Sequence, residues 1–173
     1  MTALNLAPGD LKPSMAKPPQ PIQPVQYALS LKQPWAALLA HGLKTIEVRR
    51  WPTARRGQVL IHAAKVSDER EEVWARVPKE LRDMAQLVGG IIGSGEITDC
   101  VEYRSAAAFQ ADQARHLNDP SWFEGPVLYG FTFTNLKPMR FRPYPGWMRF
   151  FPVEEEGTGL PARPGRAPKS TNG

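Results

Sequence analysis

The residues with the greatest chemical potential lie close together, between Gly42 and Trp51. Within this stretch Lys44, Glu47 and Arg49 place an amine, a carboxylate and a guanidinium inside six residues. In a regular strand Glu47 and Arg49 share one face, because alternate side chains point to the same side. Such a set could bind an anion through its cations, or transfer protons if burial lowers the pKa of the lysine.

The face that carries Glu47 and Arg49 also carries Thr45, while the apolar residues between them point to the core. Lys44 lies at the mouth of this strand, where strand alternation does not fix its direction. Three roles are open for Glu47. It could act as an acid or base, or accept hydrogen bonds from a nucleobase, or it could only shape a cleft by pairing with Lys44 or Arg49.

The densest basic cluster of the chain flanks Trp51 and comprises Arg49, Arg50, Arg55 and Arg56. Arginine binds phosphate through a bidentate fork of N–H donors. An exposed tryptophan can stack on a base, which contributes about 1–3 kcal/mol per base. The cluster therefore predicts a nucleic-acid contact, and the alternative is a solvated turn with Trp51 packed on the sheet.

Four other side chains are candidates for the same cleft. Gln33 lies at a strand–helix junction and could read a base edge, whereas the helical spacing of Trp35 favours the core. His62 lies in an apolar strand, where a hydrogen-bonded core histidine is the alternative to a ligand contact. Lys65 follows at the end of that strand and could reach the cleft.

The elements that position these residues follow from the hydrophobic pattern. Strands are predicted over 27–31, 45–49, 58–63, from 91 onward, and over 127–134, 139–142 and 147–151. Helices are predicted over 34–41, within 67–87 with a break near Pro78, and over 106–114. Five or six strands with glycine kinks and a few flanking helices indicate an α+β fold built on a closed or nearly closed mixed sheet.

Composition divides the 173 residues into three parts. Residues 1–25 contain six prolines and predict a flexible arm, and the Gly/Pro-rich residues 154–173 predict a disordered tail. The folded domain is then predicted over 26–153. A net charge of +5 is compatible with an anionic partner such as nucleic acid.

Other functional classes receive little support from the sequence. No long apolar run is present, so no membrane span is predicted, and the absence of a secretory pattern favours the cytoplasm. The single cysteine, Cys100, is interpreted as a small buried side chain. The three histidines and Cys100 lack the spacing of a zinc site, and we predict neither a metal nor another cofactor.

Four ordered blocks of the sequence resemble the ASCH domain family. The central block is G-x-K-x-x-E-x-R, formed by Gly42, Lys44, Glu47 and Arg49. Before it, residues 29–35 are similar to the family's "LSxxQPWA" opening. After it, residues 56–65 resemble the "RGxVLIHAxK" strand, and residues 92–97 are similar to the "GxGEI" strand. Several blocks in order are more specific than any one of them.

The resemblance implies a PUA-like mixed β-barrel with a cleft beside Lys44, and an RNA, nucleoside or nucleotide ligand. Our first hypothesis is a binding module in which a basic cleft holds single-stranded RNA or a modified nucleoside. The second is a hydrolase of RNA or of an acylated nucleoside, acting through Lys44 and Glu47. In a family branch that hydrolyses acetylated cytidine, the lysine corresponds to Lys44 and a catalytic threonine falls on Glu47. The third is an interaction scaffold that uses the Pro-rich arm. The oligomeric state is not determined by the sequence.

Overall fold

The computed structural model describes residues 25–154. The predicted arm and tail lie outside the described residues, except for Val25 and Glu154, which are both exposed. The described part contains a six-stranded sheet in the order β2-β5-β4-β3-β1-β6. Its strands are β1 Gln26–Leu31, β2 Ile46–Arg49, β3 Gly57–Ala63, β4 Gly90–Tyr103, β5 Leu128–Pro143 and β6 Phe150–Val153.

The sheet is mixed and curls on itself. β1 and β3 are parallel, and the other four pairings are antiparallel. The curl brings edge strand β2 toward β1, where Arg49 donates a hydrogen bond from Nη2 to the carbonyl of Ser30 at 2.7 Å. The predicted α+β fold with a nearly closed mixed sheet is confirmed.

The helices are short, and three of them pack against strands of the sheet. They are α1 Trp35–Ala40, α2 Glu71–Trp74, α3 Arg82–Gln86, α4 Ala106–Ala111 and α5 Gln113–His116, with 3-10 turns at Lys79–Leu81 and Pro120–Trp122. All six residues of α1 are buried. The longest helix in residues 25–154 has six residues, so none of them has the length or apolar character to cross a membrane.

The close approach of α1 to the sheet requires a glycine at position 93. A Cβ on Gly93 would lie 2.7 Å from the Cβ of Ala40, which is inside van der Waals contact. Burial of α1 against β3, β4 and β5 therefore depends on small residues at this contact. This packing fixes the position of α1, and the candidate site begins at the C-terminal end of that helix.

Several predicted elements differ in extent from those observed. The helical region within 67–87 does break at Pro78, but its helices are short, because only Val73, Val77 and Ala85 are fully buried there among apolar residues. The separate strands predicted over 127–134 and 139–142 form one strand, β5. Asn135, with a φ of 50°, lies near one of the points where the pairing with β4 shifts register. Such irregularities let a long strand bend without ending.

Candidate functional site

The end of α1 directs Lys44 into the protein. Gly42 adopts a φ of 73°, the left-handed conformation that glycine tolerates best at a helix end. The amides of Leu43 and Lys44 then both donate to the carbonyl of Leu38, at 3.0 and 3.1 Å. This tight turn reverses the chain and leaves the Lys44 side chain only 2% exposed.

The Lys44 ammonium contacts three different groups. Its Nζ lies 3.0 Å from Glu47 Oε2, donates to the His116 carbonyl at 3.3 Å, and lies 4.4 Å from the centre of a Trp35 ring. Burial lowers the pKa of Lys44 from its ordinary value, and the neighbouring carboxylate of Glu47 opposes that shift. The amine is thus a desolvated cation with one carboxylate partner.

Glu47 bridges two cations. Its Oε1 lies 3.0 Å from Arg49 Nε, while its Oε2 contacts Lys44. The buried Arg49 Nε–H is not oriented to donate a hydrogen bond, so its contact with Glu47 is an ion pair without a hydrogen bond. One carboxylate between two cations leaves the buried group with a net positive charge.

The group of Lys44, Glu47 and Arg49 lines a cleft of about 530 Å³. Three indole rings also face it, from Trp35, Trp51 and Trp122. Its polar lining is completed by Arg50, Arg70, Asn118, Ser121 and Glu124. A concave site with aromatic surfaces and a few polar groups at its base is suited to a flat, polar ligand.

Trp51 and Arg50 enter the cleft from the end of β2. Trp51 is half-buried, and its ring packs edge-on against Phe131 and Phe150 with centroids 5.0 and 5.7 Å apart. Arg50 is exposed and forms an ion pair with Glu124. Trp51 therefore packs on the sheet, as in the alternative given above, and also lines the cavity.

A second polar cluster supports the aromatic wall. The Asp68 carboxylate accepts hydrogen bonds from Trp35 Nε1 at 2.9 Å and from Arg70 Nε and Nη2 at 2.9 and 2.6 Å. The Arg70 hydrogen bonds hold the pKa of Asp68 well below its usual range. The Arg70 guanidinium lies 3.9 Å from the centre of a Trp122 ring, and that indole meets Trp35 edge-on at 6.4 Å.

His116 fixes the loop that receives Lys44. Its Nε2 lies 2.7 Å from the Phe109 carbonyl, and its Nδ1 accepts from the amide of Asn118 at 3.0 Å. A carbonyl can only accept, so Nε2 carries the proton and the ring is neutral. Burial lowers the pKa of His116, which favours the same neutral form.

Sequence reasoning missed the part of the cleft contributed after residue 65. Arg70, Asn118 and Trp122 lie in loops and short turns without a motif of their own, as does Asp68, which holds Arg70 from outside the cleft lining. The only signal was composition: Asp68 and Arg70 precede a Trp-bearing helical segment, and Trp122 follows Pro120. Trp122 could not be separated from a core tryptophan without knowing that this loop faces Lys44.

Gln33, His62 and Thr45 lie outside the cleft lining. Gln33 is fully buried, donates to the carbonyls of Met84 and Leu87, and accepts from the amide of Ala37. These bonds connect α1 to the end of α3. A base edge therefore cannot reach Gln33 without breaking a buried network.

His62 is a buried histidine with both nitrogens engaged. Nε2 lies 2.9 Å from the Tyr144 carbonyl, so it donates, and Nδ1 lies 3.0 Å from the Ser30 hydroxyl, so it accepts. Burial lowers the pKa of His62. The contacts correspond to the core alternative given above for this residue. Thr45 is half-buried, and its backbone amide and carbonyl connect β2 to Arg115 and Phe133.

The predicted basic cluster divides into two groups. Arg49 and Arg50 line the cleft, whereas Arg55 and Arg56 do not. The Arg55 guanidinium lies 3.8 Å from the centre of the Tyr27 ring, and Arg56 reaches Asp99 at 3.4 Å. Lys65 is exposed and also lies outside the cleft lining. The turn over 50–56 separates neighbouring arginines, so sequence proximity did not predict a shared surface.

No cluster of three or more His, Cys, Asp or Glu side chains suited to a metal ion occurs among residues 25–154. Cys100 is a free, half-buried thiol. The side chains that line the cleft offer ion pairs, the Asn118 amide and three indole rings.

The sequence matches the model of one protein family, the ASCH domain, over residues 29–150. It is 27% identical over 110 residues to human activating signal cointegrator 1, and 30% identical over 91 residues to the mouse protein. These alignments cover 56% and 45% of this chain but only 18% and 15% of the two cointegrators.

Solved structures show the same fold. The crystal structure of ASCH from Zymomonas mobilis superposes with a TM-score of 0.56 at 15% identity, covering 76% of this chain and 89% of that one. A mutant of the same protein gives a TM-score of 0.55 at 14% identity, covering 75% and 91%.

Proposed function

This chain belongs to the ASCH domain family, and from that premise we propose that its cleft binds a nucleobase of RNA or of a nucleotide. The observation that carries the proposal is the floor of Lys44, Glu47 and Arg49 beneath three indole rings. Indole faces stack on any base, and a carboxylate or amide can then discriminate its hydrogen-bonding edge.

Two side chains are suited to reading that edge. Glu47 lines the cleft, and an ionised carboxylate accepts hydrogen bonds from exocyclic amino groups or ring N–H groups. Asn118 lines it too, and its backbone amide holds the residue in place by donating to His116 Nδ1 at 3.0 Å. An amide offers both donors and an acceptor, so the pair could favour a base with adjacent donor and acceptor groups.

The charges favour a base-led contact, in which the base makes most of the interactions, over many contacts along a phosphate backbone. Of the lining cations, Lys44 and Arg49 contact Glu47, and Arg50 contacts Glu124. Arg70 contacts Asp68. Each paired cation has less charge available for a phosphate, because its carboxylate partner must be displaced or shared. We therefore expect one or two phosphate contacts for each bound segment.

Titration of the full chain with short single-stranded RNAs and a panel of standard and modified nucleosides tests the proposal. We expect micromolar to millimolar binding of at least one base. Salt dependence should be shallow, with log affinity falling by about 0.7 per tenfold increase in salt for each phosphate contacted. Fluorescence anisotropy at about 50 mM and about 200 mM salt gives this slope.

Two outcomes bear directly on the base-led interpretation. A slope that corresponds to many phosphates would replace it with backbone tracking, and no binding by any member of the panel would reject it. Because Trp35, Trp51 and Trp122 face the cleft, quenching of tryptophan fluorescence by the ligand provides an independent measurement.

Hydrolysis is the second candidate function. It is favoured by the burial of Lys44, because a lysine with a lowered pKa is better able to act as a general base. In this scheme Lys44 and Glu47 share the transfer of a proton from water to the leaving group of an acylated nucleoside or an RNA phosphodiester. The carboxylate partner at 3.0 Å works against it by favouring the charged amine.

Mass spectrometry of the same incubations tests for hydrolysis. If Lys44 and Glu47 are catalytic, products accumulate with the natural protein, and Lys44→Met lowers the rate at least about 100-fold, as expected for loss of general base catalysis. The full chain with Cys100→Ser serves as the control and should retain the rate. Absence of turnover with the natural protein, or full turnover in Lys44→Met, would reject the catalytic role.

A further inference from the structure

We propose that Arg70 binds a phosphate of the ligand, so that the cleft takes a nucleotide in preference to a nucleoside. The inference rests on the proposed function and adds the chemical class of the ligand. It depends on three observations: the way the guanidinium is held, the donors that remain free, and the state of the other cations in the cleft.

The Arg70 guanidinium is held on two sides. Asp68 accepts hydrogen bonds from Nε at 2.9 Å and from Nη2 at 2.6 Å, which makes the contact bidentate. Trp122 supplies a ring whose centre lies 3.9 Å from the guanidinium carbon. An arginine fixed in this way loses little further side-chain entropy when an anion binds, so each hydrogen bond contributes more to affinity.

Donors of the guanidinium remain for a ligand. A guanidinium has five N–H donors, and Asp68 accepts from two of its three nitrogens. Nη1 makes no hydrogen bond within the described residues. The Arg70 side chain is 45% exposed and lines the cleft, so a phosphate oxygen can reach the free edge from solvent.

The other lining cations are less suited to this role. Lys44 is 2% exposed and surrounded by its three contacts. Arg49 is engaged with Glu47 and with the Ser30 carbonyl. Arg50 pairs with Glu124, and both of those side chains are mostly exposed, so the pair is solvated. Of the two arginines held by such contacts in the described part of the cleft wall, Arg70 is the more exposed, at 45% against 23% for Arg49, so its free donors are the ones a ligand reaches from solvent.

Asp68 also determines what kind of contact to expect. Its charge offsets most of the Arg70 charge at long range, so Arg70 adds little to the attraction of distant phosphates. The contact would instead be short-range and directional, through N–H donors to phosphate oxygens. A base on the Trp122 side of the cleft would place its own phosphate, and not that of a distant nucleotide, near this guanidinium.

Calorimetric titration with nucleosides and with their 5′- and 3′-monophosphates tests the inference. The probes are adenosine, cytidine, guanosine and uridine with their monophosphates. We expect one monophosphate of the preferred base to bind about 10- to 100-fold more tightly than its nucleoside, as for a charge-assisted hydrogen bond. Arg70→Gln should remove that preference, so that the ratio of the two affinities falls to about one. Arg82→Gln, at an arginine outside the cleft lining, is the matched control and should keep the ratio.

Arg70→Lys is a second variant, and it keeps the positive charge at this position. Lysine cannot reproduce the bidentate fork or the stacked plane, so the ratio should fall in this variant too. Nucleoside binding without a monophosphate preference in the natural protein would overturn the role of Arg70 and leave the proposed function in place. Equal loss of both ligands in Arg70→Gln and Arg70→Lys would show that Arg70 only supports the indole wall, and would also overturn it. Failure of every nucleoside and nucleotide to bind would overturn both proposals.

Discussion

Replacing Glu47 with glutamine is expected to lower the free energy of unfolding by about 3–5 kcal/mol near neutral pH. The substitution leaves Lys44 charged, desolvated and without its carboxylate partner. Glutamine keeps an oxygen near Arg49, so the loss reports mainly on the buried charge. The melting temperature should fall by at least about 6 °C, measured by differential scanning calorimetry.

The effect of Glu47→Gln should depend on pH. Burial lowers the pKa of Lys44 below 10.5, its value in the unfolded chain, and loss of Glu47 lowers it further. The unfolded chain then binds more protons than the folded one over the interval between the two pKa values, so stability rises as pH rises through it. The difference in unfolding free energy between Glu47→Gln and the natural protein should therefore be smaller at about pH 10 than at about pH 7.

A compensating variant separates stability from binding. Lys44→Met combined with Glu47→Gln removes the more deeply buried cation as well and should recover most of the lost stability, because Arg49 is partly exposed and keeps the glutamine oxygen beside it. Base binding should stay weak in the double variant, since it lacks the carboxylate that we propose for recognition of the base edge. Equal stability of the single and double variants would contradict the buried ion-pair account.

Replacing Trp122 with alanine is expected to weaken base binding by about 1–3 kcal/mol, or about five- to 150-fold. Trp122 is a half-buried wall of the cleft, contacts Trp35 edge-on, and supports the Arg70 guanidinium. Its removal deletes a stacking surface and frees the arginine. Fluorescence anisotropy with the best ligand of the panel measures the change.

Two matched variants control for general effects of losing a tryptophan. Trp147→Ala removes an exposed indole outside the cleft lining and should leave affinity unchanged. Trp122→Phe keeps an aromatic face and should recover much of the affinity. Wild-type affinity in Trp122→Ala would exclude this ring from the ligand contact.

More of the fold than of the cleft could be predicted from the sequence. Alternating apolar residues and the glycine at position 42 indicated β1, β2, β3 and the end of α1, because those signals are local. The strand predicted over 147–151 is observed at Phe150–Val153, because Arg149 adopts a φ of 61° immediately before the strand begins. A positive φ at arginine depends on tertiary contacts, which no local pattern contains.

The candidate site was predicted only where its residues are close in sequence. Lys44, Glu47 and Arg49 lie together at the floor of the cleft, as a strand opening after a helix allows. Arg70 and Trp122 reach the same cleft from distant loops, and Asp68 beside Arg70 is tied to α1 by the hydrogen bond from Trp35 Nε1. The contact of Lys44 with the His116 carbonyl joins residues 72 positions apart, and no motif links them.

Arg49 has a consequence beyond ligand recognition. The same guanidinium that contacts Glu47 also joins an outer strand to an interior one through the Ser30 carbonyl. Substitution of this residue would remove that link between the two strands while altering the pocket floor. Weakened recognition in such a variant would then combine lost contact with altered shape, so Arg70, whose guanidinium contacts Asp68 and Trp122 and joins no two strands, is the better reporter of direct anion contact.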